Sequence, residues 1–365
     1  MREMKSGWRV AVRYGFPLLM VALLVAALWM SPRGAQPQLH LHTRLLMGTL
    51  VNLTIGSVPR SQADQAAQQA FAEMVRIEEV MSSHRSDSEV SRINQVSRET
   101  WQPVSGELGL LLRQGLQVTT LSQGAFAMGL EPLTRLWGFS GNPPATQPPP
   151  SADLARWLQA YPSSGAIELR YLGEGAAALQ ESDQSTLQVR LKTQSVGLDL
   201  GAIAKGYAVD RAVAILQQAG IKDAVVDAGG NLRIIGSKEG KPWRIGVQSP
   251  RQQDQVVAVS QLSGNMAMVT SGDYERFFLY EGKRYHHIID PGTGLPARSG
   301  LSSVTVQAPD ATTADALSTA LFVLGAEKGL SLLSHFPGSA ALLITEEGKP
   351  IRSAGFVGEW LSVPQ

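Results

Sequence analysis

Apolar and polar positions alternate in several short stretches of this chain and recur at helical spacing in a few longer ones. Between residues 49 and 55 the apolar residues Val51, Leu53 and Ile55 alternate with other positions, which is typical of a half-buried strand. Ser61 and Asp64 then resemble a capping box. After them, apolar residues repeat at the spacing of one helix face at Ala67, Ala70, Phe71, Met74, Ile77 and Met81. The pattern predicts a strand followed by a long amphipathic helix.

The rest of the chain divides into short strands and a few helices. The polar stretch 81–94 has little periodicity and is predicted as a loop. The aromatic residues of 124–129 and 133–139 are interpreted as core, with a wall for a planar ligand as the alternative. Gly229-Gly230 inside an apolar strand pattern predicts a bulge or a close backbone approach. Further helices are predicted at 108–121, 152–161 and 311–324, and further strands at 167–171, 187–192, 196–200, 224–235, 256–262, 267–270, 303–307 and 340–345. Short strands without regular βαβ alternation predict an α+β fold, with mixed or antiparallel sheets packed with helices.

Residues 198–210, LDLGAIAKGYAVD, bring a strand end, a glycine and a helix start together. The apolar run ends at Gly201, and a helix is predicted from Ala202. Such a turn presents free N–H groups and the positive end of a helix dipole, which suits an anion, with Lys205 in the first turn and Asp199 just before it. An ordinary helix start with a surface lysine remains the alternative. A P-loop is excluded, because no Lys-Ser/Thr pair follows Gly206.

The N-terminus has the pattern of an export signal. The uncharged apolar run 16–30 is 15 residues long. It is preceded by four basic residues, which are Arg2, Lys5, Arg9 and Arg13. The run is shorter than the roughly 20 residues that span a bilayer comfortably. Arg33 spoils the nearest small-residue cleavage pattern. We therefore predict a signal anchor, with a cleaved signal peptide as the alternative, over residues 1–37, and one domain over 38–365 on the periplasmic side of a bacterial inner membrane.

Composition narrows the chemistry. A chain of 365 residues with 44% hydrophobic and 17% charged residues is typical of a globular protein with ample core. A formal net charge of +1 gives no argument for nucleic acid. The absence of cysteine excludes disulfides, zinc–thiolate sites, iron–sulfur clusters and a lipidated cysteine.

Two residue pairs in the C-terminal half are candidates for chemistry. Asp315 and Thr319 are four residues apart on a predicted helix, so both project from one face, and a carboxylate with a hydroxyl suits a hard cation such as Mg²⁺. His287 and Asp290 lie where a strand ends in a turn, and histidine is well matched to proton transfer near neutral pH. A helix-surface aspartate and a structural turn with a buried histidine remain the alternatives.

Eight short motifs, each weak alone, follow one another in an order that resembles the ApbE family, the FAD:protein FMN transferases. They are Met47-Gly-Thr49, residues 81–94, Gly124-Ala-Phe126, residues 198–206, Gly229-Gly230, Thr270-Ser-Gly-Asp-Tyr274, His287-Ile-Ile-Asp-Pro291 and Thr313-Ala-Asp-Ala-Leu-Ser-Thr319. The resemblance implies a T-fold-related fold, FAD as substrate and Mg²⁺ as cofactor. It also implies transfer of FMN to a threonine hydroxyl of an acceptor flavoprotein subunit, with release of AMP.

The resemblance also implies roles for single residues. His287 would accept the proton of the attacking threonine, with Asp290 supporting the same turn. The carbonyl of Ala202 would hold Mg²⁺ together with Asp315 and Thr319. The FAD site would be lined by Met47, His84, Ala125, Phe126, Ala127, Asp199, Lys205 and Ile289.

This chain departs from the family pattern at three positions. Ala127 stands where the family usually has aspartate, His84 where many members carry an aromatic residue, and Gly292 where a basic residue is common. Two alternatives to the transferase activity stay open. One is Mg²⁺-dependent hydrolysis of FAD to FMN and AMP, and the other is a non-enzymatic protein that binds or donates flavin to a respiratory redox enzyme.

Overall fold

A computed structural model describes residues 39–96, 98–139, 144–162, 164–172, 187–252 and 254–361. The predicted signal anchor lies outside these ranges. The helices within them are α1 (Arg60–Met81), α2 (Glu89–Gln95), α3 (Gly106–Leu121), α4 (Glu131–Trp137), α5 (Ser151–Ala160), α6 (Ala204–Gln218) and α7 (Ala311–Leu332). The strands are β1 (His40–Leu46), β2 (Thr49–Gly56), β3 (Gln102–Pro103), β4 (Ile167–Tyr171), β5 (Leu187–Leu191), β6 (Asp223–Ala228), β7 (Asn231–Ile235), β8 (Trp243–Gln248), β9 (Val256–Leu262), β10 (Met266–Gly272), β11 (Phe277–Tyr280), β12 (Lys283–His286), β13 (Leu301–Ala308), β14 (Ala340–Thr345), β15 (Pro350–Arg352) and β16 (Glu359–Trp360).

The described part of the chain is built on an eight-stranded sheet with the strand order β1-β2-β6-β7-β10-β13-β14-β15. Every neighbouring pair in that order is antiparallel. Smaller antiparallel sheets are formed by β16-β9-β8, by β3-β5-β4 and by the hairpin β11-β12. The predicted α+β fold, with antiparallel sheets packed with helices, is confirmed.

Helices cover one face of the large sheet and the β16-β9-β8 sheet covers the other. The helical side holds the main apolar cluster, which includes Phe71 of α1, Val209 of α6 and Phe322 of α7. The opposite side holds a second cluster, with Ile234 of β7 and Ile344 of β14 packed against Trp243. Because both faces are covered, all eight residues of β13 are buried, and this strand shows no alternation of apolar and polar positions.

Helix α7 crosses the helical side as a core element. By length and composition alone, α7 with the 3₁₀ turn that follows it (Ala311–His335) is apolar enough to cross a membrane, but 56% of its most apolar 18-residue stretch is buried inside the protein. Gly325, with φ 78°, kinks the helix past its first fourteen residues. The straight part before the kink carries Asp315 and Thr319.

Two local predictions, a helix cap and a loop, are wrong. α1 begins at Arg60 after Pro59 without a side-chain cap, so the capping box of Ser61 and Asp64 is not formed. The Asp64 carboxylate instead accepts from Nε2 of His42 at 2.8 Å. The predicted loop 81–94 instead holds most of helix α2 (Glu89–Gln95), which the Ser88 hydroxyl caps by accepting from the N–H of Ser91 at 2.9 Å.

Two predicted strands also differ. Residues 224–235 form a hairpin rather than one bulged strand, because Gly229 (φ 60°) and Gly230 (φ 89°) both adopt the left-handed conformation of a two-residue turn. The apolar run 196–200 joins none of the four sheets. The N–H groups of Gly197 and Asp199 bond instead to the carbonyls of Gly129 and Met128, and α6 begins at Ala204 rather than at Ala202.

Candidate active site

A cleft opens where the start of α6, the middle of α7, the loop after α3 and the chain leaving β12 meet. It is lined by His84, Ala125, Ala127, Leu130, Thr134, Phe139, Asp199, Gly201, Ala202, Lys205, Asn231, Thr270, Ser271, Glu275, Arg276, His287, Ile288, Ile289, Asp315 and Thr319. A second cavity shares His84, Phe139, Asp199, Gly201, Lys205 and Arg276 with it and extends towards Met47. The two cavities therefore adjoin at these six residues.

The turn before α6 is held from both sides. The amide of Asn94 bonds both the N–H and the carbonyl of Leu198, at 2.6 and 2.9 Å. The Asp199 carboxylate accepts from the N–H of Gly201 at 2.9 Å and from the Thr134 hydroxyl at 2.8 Å. Asp199 therefore lines the cleft with both of its oxygens already engaged.

The helix start offers fewer free N–H groups than the sequence predicts. The N–H groups of Gly201, Ile203, Ala204 and Gly206 are all hydrogen-bonded within the protein. Positive charge at this end of the cleft therefore comes from the Lys205 ammonium, whose Nζ donates to the carbonyl of Gly201 at 3.1 Å.

Asp315 faces this lysine from α7. It is 3% exposed, its Oδ1 lies 4.0 Å from Nζ of Lys205, and its Oδ2 accepts from the N–H of Gly206 at 3.0 Å. Burial raises the pKa of Asp315, and Lys205 opposes that rise. One turn later, the Thr319 hydroxyl lies 3.4 Å from that of Ser271. We call Ala202, Lys205, Asp315 and Thr319 the charged wall of the cleft.

The charged wall is fixed by the packing of α6 on α7. Gly206 lies so close to α7 that an added Cβ would stand 2.2 Å from the carbonyl oxygen of Ala311. The Asp210 carboxylate accepts from the N–H groups of Ala311 and Thr312 at 2.8 Å each and also pairs with Arg233. Asp210 thus caps α7 from the neighbouring helix.

His287 stands where the chain leaves β12. Its backbone N–H donates to the carbonyl of Arg276 at 3.0 Å, and its Nδ1 lies 3.3 Å from the same oxygen. Desolvation by the surrounding protein, followed by the charges of Arg276 and Lys205, holds the pKa of His287 well below 6.5. With Nδ1 protonated and donating, Nε2 carries the free lone pair.

Glu275 is a second titratable group of the cleft. Its side chain as a whole is exposed, but the cleft desolvates the carboxylate and raises its pKa to about 7. Lys205 and Arg276 oppose this rise.

Asp290 serves the turn after the histidine. Its carboxylate accepts from the N–H of Gly292 at 2.9 Å and from the Thr293 hydroxyl at 3.1 Å, and it is not part of the cleft lining. Its placement suits the supporting role implied by the resemblance, rather than contact with a substrate.

The opposite side of the cleft is apolar, and we call Ala125, Ala127, Leu130, Phe139 and Ile289 the apolar wall. The Phe139 ring stacks on that of Trp137, with centroids 5.7 Å apart and planes 10° apart, and it also stacks on Phe278 at 5.5 Å. Trp137 is fully buried, as the core interpretation of 133–139 predicts, whereas Phe139 lines the cleft.

The other predicted FAD-site residues fall in different places. Phe126 is fully buried and lies in the main core, while its neighbours Ala125 and Ala127 line the cleft. Met47 lines the second cavity but not the first, and its N–H donates to Glu78 Oε2 at 3.1 Å. His84 is exposed and borders both cavities.

Sequence reasoning missed several lining residues. Ser271 lies in the motif Thr270–Tyr274, for which the resemblance implies no role of a single residue. Asn231 directly follows the double glycine, and Glu275 and Arg276 directly follow Tyr274. Phe139 belongs to the aromatic segment 133–139, for which a wall for a planar ligand was the alternative to core. Proximity to the named motifs was the signal that could have found the first four.

The oxygen ligands in the cleft suit a magnesium ion that is held partly by the substrate, rather than a metal ion held by protein side chains alone. In the described ranges, no group of three or more histidine, aspartate or glutamate side chains could hold a metal ion. Mg²⁺ is usually held by one or two carboxylates together with substrate phosphates. The buried carboxylate of Asp315 beside the Thr319 hydroxyl and the Ala202 backbone fits that ligand set.

Comparison with known proteins agrees with the architecture. The family model described as "ApbE family" matches residues 47–343. A Treponema pallidum protein named FAD:protein FMN transferase is 35% identical over 323 residues, 86% of each chain. An Escherichia coli K12 protein of the same name is 31% identical over 343 residues, covering 91% of this chain and 94% of that protein.

Solved structures give the same result. The ApbE protein of Thermotoga maritima superposes with a TM-score of 0.74 at 36% identity, covering 87% of this chain and 97% of that one. The flavin transferase ApbE of Vibrio cholerae gives 0.74 at 29% identity, covering 88% and 98%. The chain therefore belongs to the ApbE family.

Proposed function

We propose that this protein transfers FMN from FAD to a threonine hydroxyl of an acceptor protein, depends on Mg²⁺ and releases AMP. The observation that carries the proposal is that Lys205, Asp315 and Thr319 share one cleft with His287 and an apolar wall. Flavin transfer is also the activity in the names of the relatives. The predicted signal anchor supports action outside the cytoplasmic membrane.

The reaction is a phosphoryl-type transfer. The threonine Oγ attacks the phosphorus on the FMN side of FAD, a new P–O bond forms, and the bond from that phosphorus to the bridging oxygen breaks. AMP leaves with the bridging oxygen, and the hydroxyl proton must go to a base. Such reactions need charge stabilisation on the phosphates and an oriented nucleophile.

The charged wall meets the first need. Lys205 brings a positive charge to the phosphates, and Asp315, Thr319 and the Ala202 carbonyl would hold Mg²⁺. When bound, Mg²⁺ supplies Lewis-acid stabilisation of phosphate charge. Because α6 and α7 are locked at Gly206 and Asp210, these groups are positioned before a substrate arrives.

His287 meets the second need. Its pKa, held well below 6.5, keeps the imidazole neutral at neutral pH, and the Arg276 carbonyl fixes Nδ1 as the donor. Nε2 is then available to accept the threonine proton. Asp290 holds the following turn and so maintains the path of the chain after His287.

The apolar wall is suited to a planar ring. Phe139 presents one side of an aromatic stack to the cleft, and Leu130 and Ile289 flank it as apolar surface. We assign this wall to a ring of FAD, with the phosphates towards Lys205. Ala127 lies on the same wall, so the departure from the family pattern affects this end of the cleft.

The test uses the full chain in detergent with FAD, Mg²⁺ and a small acceptor domain that carries a threonine flavinylation motif. The acceptor should gain the mass of one FMN and in-gel flavin fluorescence, AMP should appear in equal amount, and EDTA should abolish both. An acceptor in which that threonine is replaced by alanine is the matched control. AMP release without a change in the acceptor would favour hydrolysis. FAD bound but unchanged would favour the flavin-binding alternative.

A further inference from the structure

We propose that Asn231 is a positioning residue that holds the Asp315 carboxylate in the orientation in which it binds the cation. The inference rests on the proposed function, because it takes Asp315 to be a magnesium ligand. Neither the motif roles implied by the resemblance nor the helix spacing assigns Asn231 any part in the site.

The hairpin between β6 and β7 determines where Asn231 lies. The two-residue turn Gly229-Gly230 makes Asn231 the first residue of β7, paired with Ala228 on one side and with Val269 of β10 on the other. Cross-strand partners point to the same face of a sheet, and Ala228 and Val269 both belong to the helix-side core. Asn231 therefore points from the centre of the sheet towards α7.

Asn231 is a buried polar side chain directed at the cleft. It is 2% exposed and lines the cleft beside Asp315. With its amide nitrogen facing the carboxylate, it donates to both Oδ1 and Oδ2 of Asp315 at 3.1 Å each. The reversed amide would set an oxygen against two carboxylate oxygens, which is unfavourable, so the donating orientation is the one we assign.

Three donors surround the Asp315 carboxylate from different directions. The N–H of Gly206 approaches Oδ2 from α6, Lys205 lies on the Oδ1 side, and Asn231 bridges both oxygens from the sheet. Donors from two elements fix the carboxylate plane, leaving the remaining lone pairs for a cation. Hydrogen-bonding partners of metal-ligating carboxylates typically contribute 10–100-fold to metal affinity.

The position also explains the double glycine. A Cβ at Gly229 would stand 2.2 Å from Oγ1 of Thr49, and both glycines need positive φ. A turn that shifted β7 by one residue relative to β6 would turn Asn231 to the opposite face of the sheet. The turn thus sets the register that brings an amide to Asp315.

The test measures metal binding rather than activity alone. Mn²⁺ is titrated into the full-chain protein in detergent with saturating FAD and no acceptor, and free Mn²⁺ is followed by electron paramagnetic resonance. Asn231→Ala should weaken Mn²⁺ binding about 10–100-fold, while FAD binding without metal, followed by flavin fluorescence, stays within about twofold. High Mg²⁺ should restore most of kcat.

A matched control and a second variant keep the result interpretable. Gln307→Ala removes another buried amide of the same large sheet, one that bonds Ser260 and the Val357 backbone, and it should not change Mn²⁺ affinity. Asn231→Leu, which keeps a side chain branched at Cγ but has no donor, replaces the alanine variant if that variant does not fold. Unchanged Mn²⁺ affinity in a folded Asn231 variant would overturn the inference.

The outcome also separates this inference from the proposed function. If Asp315→Asn abolishes Mn²⁺ binding and the Asn231 variants do not weaken it, only the role of Asn231 fails. If the unmodified protein needs no divalent cation for FMN transfer, the metal site of the proposed function fails, and the role of Asn231 fails with it.

Discussion

The charged wall and the apolar wall of the cleft are built in different ways. Asp315 on the charged wall is nearly inaccessible, and its helix is tied to α6 by the carboxylate of Asp210 and by the close approach at Gly206. The apolar wall consists of loop residues, with Phe139 held by ring stacking rather than by hydrogen bonds. Directional bonds fix the groups that must meet phosphates and a cation, whereas non-directional contacts suffice for a ring.

Asp315→Asn should produce the largest effect. It removes the carboxylate charge with little change in shape, so Mg²⁺-dependent turnover should fall about 10³-fold, while metal-independent FAD binding changes little. AMP release against Mg²⁺ concentration measures the first, and flavin fluorescence the second. Asp310→Asn, which alters the cap of the same helix outside the cleft, is the control. Full turnover in Asp315→Asn would refute the assignment of this wall to the metal.

His287→Ala should slow transfer about 10²-fold and weaken FAD binding much less. Because the pKa of His287 is lowered, its proton-accepting form persists as pH falls below 6.5, and activity is lost only as pH falls through the lowered value. The rate at saturating FAD should therefore be flat between pH 8 and pH 6.5. His335→Ala, at an exposed position, is the control. Equal loss of FAD affinity and turnover in His287→Ala would contradict a role as base.

Gly206→Ala tests whether helix packing supports the charged wall. The added methyl group would force α6 away from the Ala311 carbonyl, so the free energy of unfolding should fall by about 1–3 kcal/mol and Mg²⁺-dependent turnover should fall with it. Gly115→Ala is the comparison, because its Cβ would meet the flexible side chain of Met128 at 2.2 Å instead of backbone. Urea denaturation and AMP release measure the two effects. Similar losses in both variants would show that the contact with α7 has no special role.

Phe139→Ala should affect only the apolar wall. Loss of one stacking surface should weaken FAD binding about tenfold and leave Mn²⁺ affinity unchanged. Flavin fluorescence titration and resonance of free Mn²⁺ measure the two quantities. Phe277→Ala is a matched control, because that ring lies beneath Arg284 and outside the cleft lining. A change in Mn²⁺ affinity in Phe139→Ala would show that the two walls are coupled.

Glu275→Gln should produce the smallest effect, visible mainly as a change in pH dependence. The raised pKa, about 7, means that the carboxylate gains its negative charge as pH rises through neutrality and then repels the phosphates of FAD. FAD affinity should thus fall a few-fold between pH 6 and pH 8 in the unmodified protein and stay constant in Glu275→Gln. The native state also binds more protons than the unfolded chain between pH 4.5 and about 7, so this group lowers stability as pH rises through that window. If FAD affinity showed the same pH dependence in Glu275→Gln as in the unmodified protein, Glu275 would not be near the bound phosphates.

The sequence predicted site residues best where their positions depend on the periodicity of a single helix or strand. Helical spacing alone places Asp315 and Thr319 on one face, and both line the cleft. The sequence could not show that Phe126 is buried in the core while Ala125 and Ala127 line the cleft. An irregular loop has no period that distinguishes inward from outward positions. The position of Asn231 beside Asp315 depends on the pairing of β6, β7 and β10, and no local sequence pattern specifies that pairing. The run 196–200 has the composition of a buried strand, yet it pairs with another loop, since burial alone does not specify a partner.

The carboxylate of Asp210, which ties the first turn of α7 to α6, has a consequence for how the protein opens. Amide hydrogens held across two helices exchange with solvent only when both helices separate, so those of Ala311 and Thr312 should exchange on the timescale of global unfolding. The N–H groups of Ala125 and Phe126, by contrast, bond to Ser122 of their own loop and should exchange through smaller local openings. Isotope exchange would then show one side of the cleft behaving as part of the folding core and the other as part of the surface.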